Sequence, residues 1–137
     1  MSEPDRRTVR ELRLVVTTDD YDAAVAFYRD TLGMPTSAEY LSPEQGRVVI
    51  LEAGAATLEI GDAQHGAYVD QVEVGRPVAG SLRVALRVDD ATAATAAAAE
   101  AGAEVIAAPT TTPWGSLNAR LEAPAELQLT LFQDDEG

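Results

Sequence analysis

The sequence predicts an α+β fold in which one β-α-β-β-β module is written twice. Three observations carry this. The phrase LRLVVTTDD, Leu12 to Asp20, returns half a chain later as LRVALRVDD, Leu82 to Asp90, and an internal repeat sets the architecture before any single element is weighed. Each copy alternates as a strand does and closes on an Asp-Asp pair suited to starting a helix. Each expected helix is followed by three short β-rich runs separated by turn residues.

The first strand runs from Leu12 to Thr18. Leu12, Leu14 and Val16 share the face that a helix should cover, and Arg13, Val15 and Thr17 share the other. Asp19 or Asp20 then caps a helix over Tyr21 to Leu32, because a carboxylate accepts bonds from free amides at the positive end of the helix dipole. Ala24, Phe27, Tyr28 and Leu32 form its packing stripe, with Phe27 and Tyr28 expected in the core, and Gly33 ends it. Strands follow at Thr36 to Leu41, Arg47 to Leu51 and Ala56 to Ile60, with Pro43, Gly46 and Gly54 supplying the turns.

A polar connection over 62–80 leads to the second copy. Leu82, Val84, Leu86 and Val88 face one way; Arg83, Ala85 and Arg87 face the other. Asp89 or Asp90 caps a helix, ATAATAAAAEAG, whose alanines favour helix and allow close approach to a sheet, and Gly102 closes it. Strands are expected at Glu104 to Ala107, Ser116 to Leu121 and Glu126 to Phe132. In both copies the second face of the first strand carries arginine, which is costly to bury without partners. That face reads as the wall of a cleft rather than a dry core.

Composition narrows the function classes. The chain has 137 residues and is read as one domain, 1–137, made of module 10–61 and module 81–133. Its formal charge of −13 disfavours nucleic acid and acidic lipid as partners and serves solubility; part of it sits in the tail DDEG. The first residues, MSEPDRRTVRE, hold no apolar segment, and no aliphatic run is long enough for a bilayer, so neither secretion nor membrane insertion is expected. With no cysteine there is no disulfide and no thiolate chemistry, which agrees with a cytoplasmic location.

The arrangement resembles the vicinal oxygen chelate superfamily, which includes glyoxalase I, extradiol dioxygenases and bleomycin-binding proteins. The residues that carry the resemblance are LRLVVTTDDYDAAVAFYRDTLGM in the first half, and SLRVALRVDDATAATAAAAEAGAEVI, TTPWG and ELQLTLFQ in the second. It implies that the modules form a curled mixed sheet around a shared cleft, often within a homodimer; whether they pair within one chain or across two stays open. It also implies four metal-ligand positions, one on the first and one on the last strand of each module. These fall on Arg13, Glu59, Arg83 and Thr130.

Arginine offers no lone pair and threonine is a weak donor, so this set does not suit a metal. The resemblance makes the first and last strands of a module neighbours, so Arg13 is expected to pair with Glu59. Arg83 faces Thr130 and is left for an anionic or carbonyl group of a ligand, or for an acidic group elsewhere in the protein.

The ligand-binding candidates are Arg13, Glu59, Arg83, Trp114, Gln128, Thr130 and Phe132. Gln128 and Phe132 share the Thr130 face. Trp114, on a loop, either lids the cleft or covers the sheet end. His65, the only histidine, reads as a solvated residue of the connection, with a catalytic base as the alternative. The expectation is a cofactor-free, metal-independent protein that binds a small organic molecule by sequestration of the bleomycin-resistance type, with no catalytic residue. The rivals are a metal-dependent lyase, dioxygenase or isomerase with an atypical site, such as Glu59 with His65 or ligands from a second subunit, and an interaction module whose cleft is filled by its own side chains.

Overall fold

The computed structural model describes residues 9–134. The charged residues before Val9 and the last three residues of the tail lie outside the described residues. Eight strands form one open mixed sheet: β1 Val9–Thr17, β2 Thr36–Leu41, β3 Arg47–Ala53, β4 Ala56–Gly61, β5 Leu82–Val88, β6 Glu104–Thr111, β7 Ser116–Ala123 and β8 Leu127–Asp134. Their order is β2-β3-β4-β1-β5-β8-β7-β6. Each module contributes four neighbouring strands. The modules join within the chain through the antiparallel pair β1–β5, in which Arg13 lies opposite Ala85 and Val15 opposite Arg83. Within each module the first and last strands are parallel, Val15 beside Glu59 and Ala85 beside Thr130.

The helices begin as expected. Asp20 caps Tyr21–Val25, accepting from Ala23 N at 3.2 Å, and Asp90 caps Ala91–Glu100, accepting from Ala93 N at 3.0 Å. The neighbouring Asp89 pairs instead with Arg10 at 2.7 Å. The first helix, α1, departs from the expected stripe because it widens to a π-helix over Ala26–Thr31, closed by Leu32 N on Phe27 O at 3.0 Å. The extra residue in the turn rotates later side chains out of register. Tyr21 and Val25 are buried and Tyr28 packs against them, but Phe27 is half exposed at 51%, and Leu32 is exposed. Phe27 is therefore not core.

Each module has its own apolar layer. Under α1 lie Val49, Leu51, Leu58 and Ile60; under the helix Ala91–Glu100 lie Val88, Ala119, Leu121 and Leu131. The helices sit over the outer strands of each module, so the central pair is only partly covered. Val16, Leu86 and Val88 are packed, whereas Leu12, Leu14 and Leu82 remain exposed. The opposite face of the central strands carries a small buried cluster of Val15, Ala85 and Phe132. Among the described residues no helix is long and apolar enough to cross a membrane.

The connection is not irregular throughout. Ala63–Glu73 forms a helix, α2, and the helix Ala91–Glu100 is therefore α3. Asp62 caps α2, accepting from His65 N at 2.9 Å and from Arg47 N at 3.1 Å. Its apolar periodicity is faint because its buried residues are Val69, Asp70 and Glu73, two of them acids. Gly46 permits its close approach to β3: a methyl group there would stand 2.6 Å from His65 N.

Candidate functional site

A cavity of about 690 Å³ lies on the face of the central strands away from α1 and α3. Its floor is Val15, Ala85 and Phe132, and its polar wall holds Arg13, Glu59, Arg83 and Thr130. The register explains why these four meet. Arg13 and Glu59 lie on adjacent strands of the first module, Arg83 and Thr130 on adjacent strands of the second, at nearly equal sequence separations of 46 and 47.

Arg13 Nη1 reaches Glu59 Oε1 at 3.5 Å, the expected pairing. This is the longest of its polar contacts. Nη2 lies 3.0 Å from Glu11 Oε2, and Nε donates to Thr57 Oγ1 at 3.1 Å. The guanidinium also stands 5.1 Å from the centre of the Phe132 ring, a cation–π distance. Burial would raise the Glu11 carboxyl, but Thr57, Arg13 and Arg87 outweigh it and hold it below the usual range. Arg13 is thus neutralised by two carboxylates.

Arg83 is not. It is 9% exposed and donates from Nη1 to Thr130 Oγ1 at 2.7 Å. Among the described residues no carboxylate lies within ion-pair distance of it. Burial pulls its guanidinium down from its ordinary value, with Glu59 acting in the opposite sense from farther off. A guanidinium remains a cation in a protein, so a buried positive charge with unused donors faces the cavity.

α2 closes one side of the cavity and ties the modules together. Its second half carries Asp70 and Glu73 into a buried network with Arg120, which has no exposed surface. Arg120 Nη1 donates to Asp70 Oδ1 at 2.9 Å and Nη2 to Glu73 Oε1 at 2.8 Å. Glu73 Oε2 accepts from Asn118 Nδ2 at 2.7 Å. Burial would raise the Asp70 carboxyl, but the amides of Ala79 and Val78 and the Arg120 guanidinium keep it below its ordinary value. Gln128 joins this network rather than the cavity wall: it accepts from Arg120 Nη1 at 2.8 Å and donates to Val78 O at 3.0 Å. Strand alternation gave its face correctly, but α2 and the segment after it cover that end of β8.

The first half of α2 carries His65 and Tyr68 to the cavity. His65 is partly buried rather than solvated, its side chain 15% exposed, and burial pulls its imidazole below its ordinary value. Ser42, in the turn between β2 and β3, is hydrogen-bonded through Oγ to His65 Nδ1. On the other side of the ring, Nε2 lies 3.9 Å from Glu59 Oε2. Trp114 stands at the rim, 47% exposed, its ring 6.0 Å from that of Tyr68. It lines the mouth and does not fill the cleft.

Arg13, Glu59, Arg83, Trp114, Thr130 and Phe132 therefore come together, and Gln128 does not. Ser42, Tyr68, Asp70, Glu73, Asn118 and Arg120 were not foreseen. Arg120 shares the inward alternation of β7 with Asn118, which was the available signal. As a metal centre the set fails on donor chemistry. Two of the four repeat-related positions are guanidinium and one is hydroxyl, and among the described residues no three His, Cys, Asp or Glu side chains converge on one point.

The family model described as Glyoxalase/Bleomycin resistance protein/Dioxygenase superfamily matches residues 12–137. No curated protein matches the chain in sequence. Among solved structures, a hypothetical protein from Bacillus halodurans C-125 is 15% identical, with 91% of this chain and 94% of that one covered and a TM-score of 0.68. A variant methylmalonyl-CoA epimerase from Streptomyces coelicolor, in complex with 2-nitronate-propionyl-CoA, is 22% identical over 95% of this chain and 100% of that one, with a TM-score of 0.67. The methylmalonyl-CoA epimerase of Mycobacterium tuberculosis is 17% identical over 96% and 93%, with a TM-score of 0.68. At these identities the likeness is one of fold.

Proposed function

The chain belongs to the Glyoxalase/Bleomycin resistance protein/Dioxygenase superfamily, and from that premise we propose that it binds a small organic molecule without a metal, by sequestration rather than by the superfamily's metal chemistry. The observation that carries this reading is Arg83. A buried cation with one hydrogen bond and no carboxylate partner among the described residues is an unfavourable element of a folded protein. A ligand carboxylate would supply the missing charge in a bidentate geometry that guanidinium favours. The floor of Val15, Ala85 and Phe132, with Trp114 at the rim, supplies apolar and aromatic area for the rest of the molecule. The ligand is accordingly a compact, partly aromatic monoanion, and an antibiotic bearing an acid group falls in that class.

The test is native mass spectrometry on protein purified without chelator, before and after incubation with a mixture of aromatic carboxylates. The reading predicts no stoichiometric metal and retention of one carboxylate per chain. Stoichiometric metal, or retention that vanishes when metal is stripped, would overturn it.

A further inference from the structure

We propose that Ser42 is a nucleophile in the cleft, with His65 as its general base and Glu59 orienting His65, so that a ligand carrying an activated acyl group is captured covalently as an ester of Ser42. This goes beyond reversible binding but rests on the reading that the cleft admits a small organic molecule. Ser42, His65 and Glu59 come from three separate elements, the β2–β3 turn, α2 and β4, and all three line the same cavity. Ser42 Oγ is hydrogen-bonded to Nδ1 and the Glu59 carboxylate faces Nε2.

The carboxylate decides the tautomer. A lone pair on Nε2 would face Glu59 Oε2 and be repelled, so the ring proton sits on Nε2. Nδ1 then carries the lone pair, and Ser42 is the donor in the Ser42–His65 bond. That is the arrangement a hydroxyl needs to lose its proton to a base. Burial favours the neutral imidazole, the form that can accept that proton. Gly46 and Gly61 fix the geometry, because a methyl group at either would press on His65, at 2.6 Å and 3.1 Å respectively.

The step balances within the site. Ser42 Oγ bonds to the carbonyl carbon of the ester or thioester as its proton passes to His65 Nδ1. The carbonyl electron pair moves onto oxygen and returns as the bond to the alcohol or thiol breaks. The leaving group takes the proton from Nδ1, leaving an acyl ester on Ser42. Water, activated by the same nitrogen, returns the hydroxyl and releases the acid.

The probe is 4-nitrophenyl acetate, which carries no anion and so does not depend on Arg83. The expected result is a burst of 4-nitrophenolate, with one acetyl group located on Ser42 by peptide mass analysis. Ser42→Ala loses both burst and adduct, and His65→Gln slows acylation by about 10²-fold or more. Both variants are compared with the native protein by thermal melt, to show that the fold is kept. Glu59→Gln moves the His65 ring proton away from Nε2 in nitrogen NMR spectra, which a purely structural residue would not do. Absence of a Ser42 adduct in the native protein, or a ring proton found on Nδ1, would overturn the proposal. Neither result bears on carboxylate binding, which a separate titration measures.

Discussion

Arg83 Nη1 donates to Thr130 Oγ1 at 2.7 Å, and this neutral partner is the one hydrogen bond the buried guanidinium makes among the described residues. The equivalent pair in the first module, Arg13 with Glu59, is an ion pair at 3.5 Å. The two modules thus hold related corners, and among the described residues the second has no carboxylate partner. If that charge serves a ligand, Arg83→Met weakens carboxylate binding by about 10- to 100-fold, the worth of a charged hydrogen bond. Stability stays the same or rises, because an unpaired buried charge has been removed. Binding isotherms and urea denaturation read the two effects separately.

The opposite behaviour is expected at Arg120. It is fully buried but saturated by Asp70, Glu73 and Gln128. Arg120→Leu strands two acids of α2 in the interior and destabilises the protein by about 3–5 kcal/mol. Chemical denaturation checks this. A loss below about 1 kcal/mol would mean that α2 is held by its apolar contacts instead.

Gly46 offers a local test of how α2 is seated. A methyl group at this position meets His65 N at 2.6 Å. Gly46→Ala pushes the start of α2 off β3, at about 1–3 kcal/mol of stability. It also separates Ser42 from His65, a change visible in the His65 ring resonances.

Acid sensitivity has a defined sign. His65 has a folded pKa below its ordinary value, so its contribution to stability is complete above the unfolded value of about 6.5 and is lost as pH falls from there toward the folded value. Asp70 is also depressed; its contribution is present above the unfolded value of about 3.9 and is lost as pH falls through the lower folded one. The denaturation midpoint therefore declines in two stages on acidification. His65→Gln removes the first stage and leaves the second.

Much of the fold was legible because its signals are local. The repeat phrases, the capping aspartates and the alternation of β1 and β5 sit in contiguous residues, and the Arg83–Thr130 and Arg13–Glu59 contacts follow once the strands are paired. α2 was not legible because its buried face is Asp70 and Glu73, whose partner Arg120 lies 50 and 47 residues away. A polar face buried against a distant cation has no apolar period to read. Phe27 was misplaced for another reason: the face that packs is Tyr21, Val25 and Tyr28, which Phe27 does not share, and the π-helical turn then displaces Leu32. His65 looked solvated because its burial depends on α2 docking against Gly46, which the local residues do not announce.

The most direct test of guanidinium standing where metal donors would be is a Trp114 fluorescence titration with a series of aromatic monocarboxylates, run in excess EDTA. Saturable binding that EDTA leaves unchanged and Arg83→Met weakens by about 10- to 100-fold is the expected result. Binding that appears only when a divalent metal is restored, or no saturable change across the series, would contradict the account.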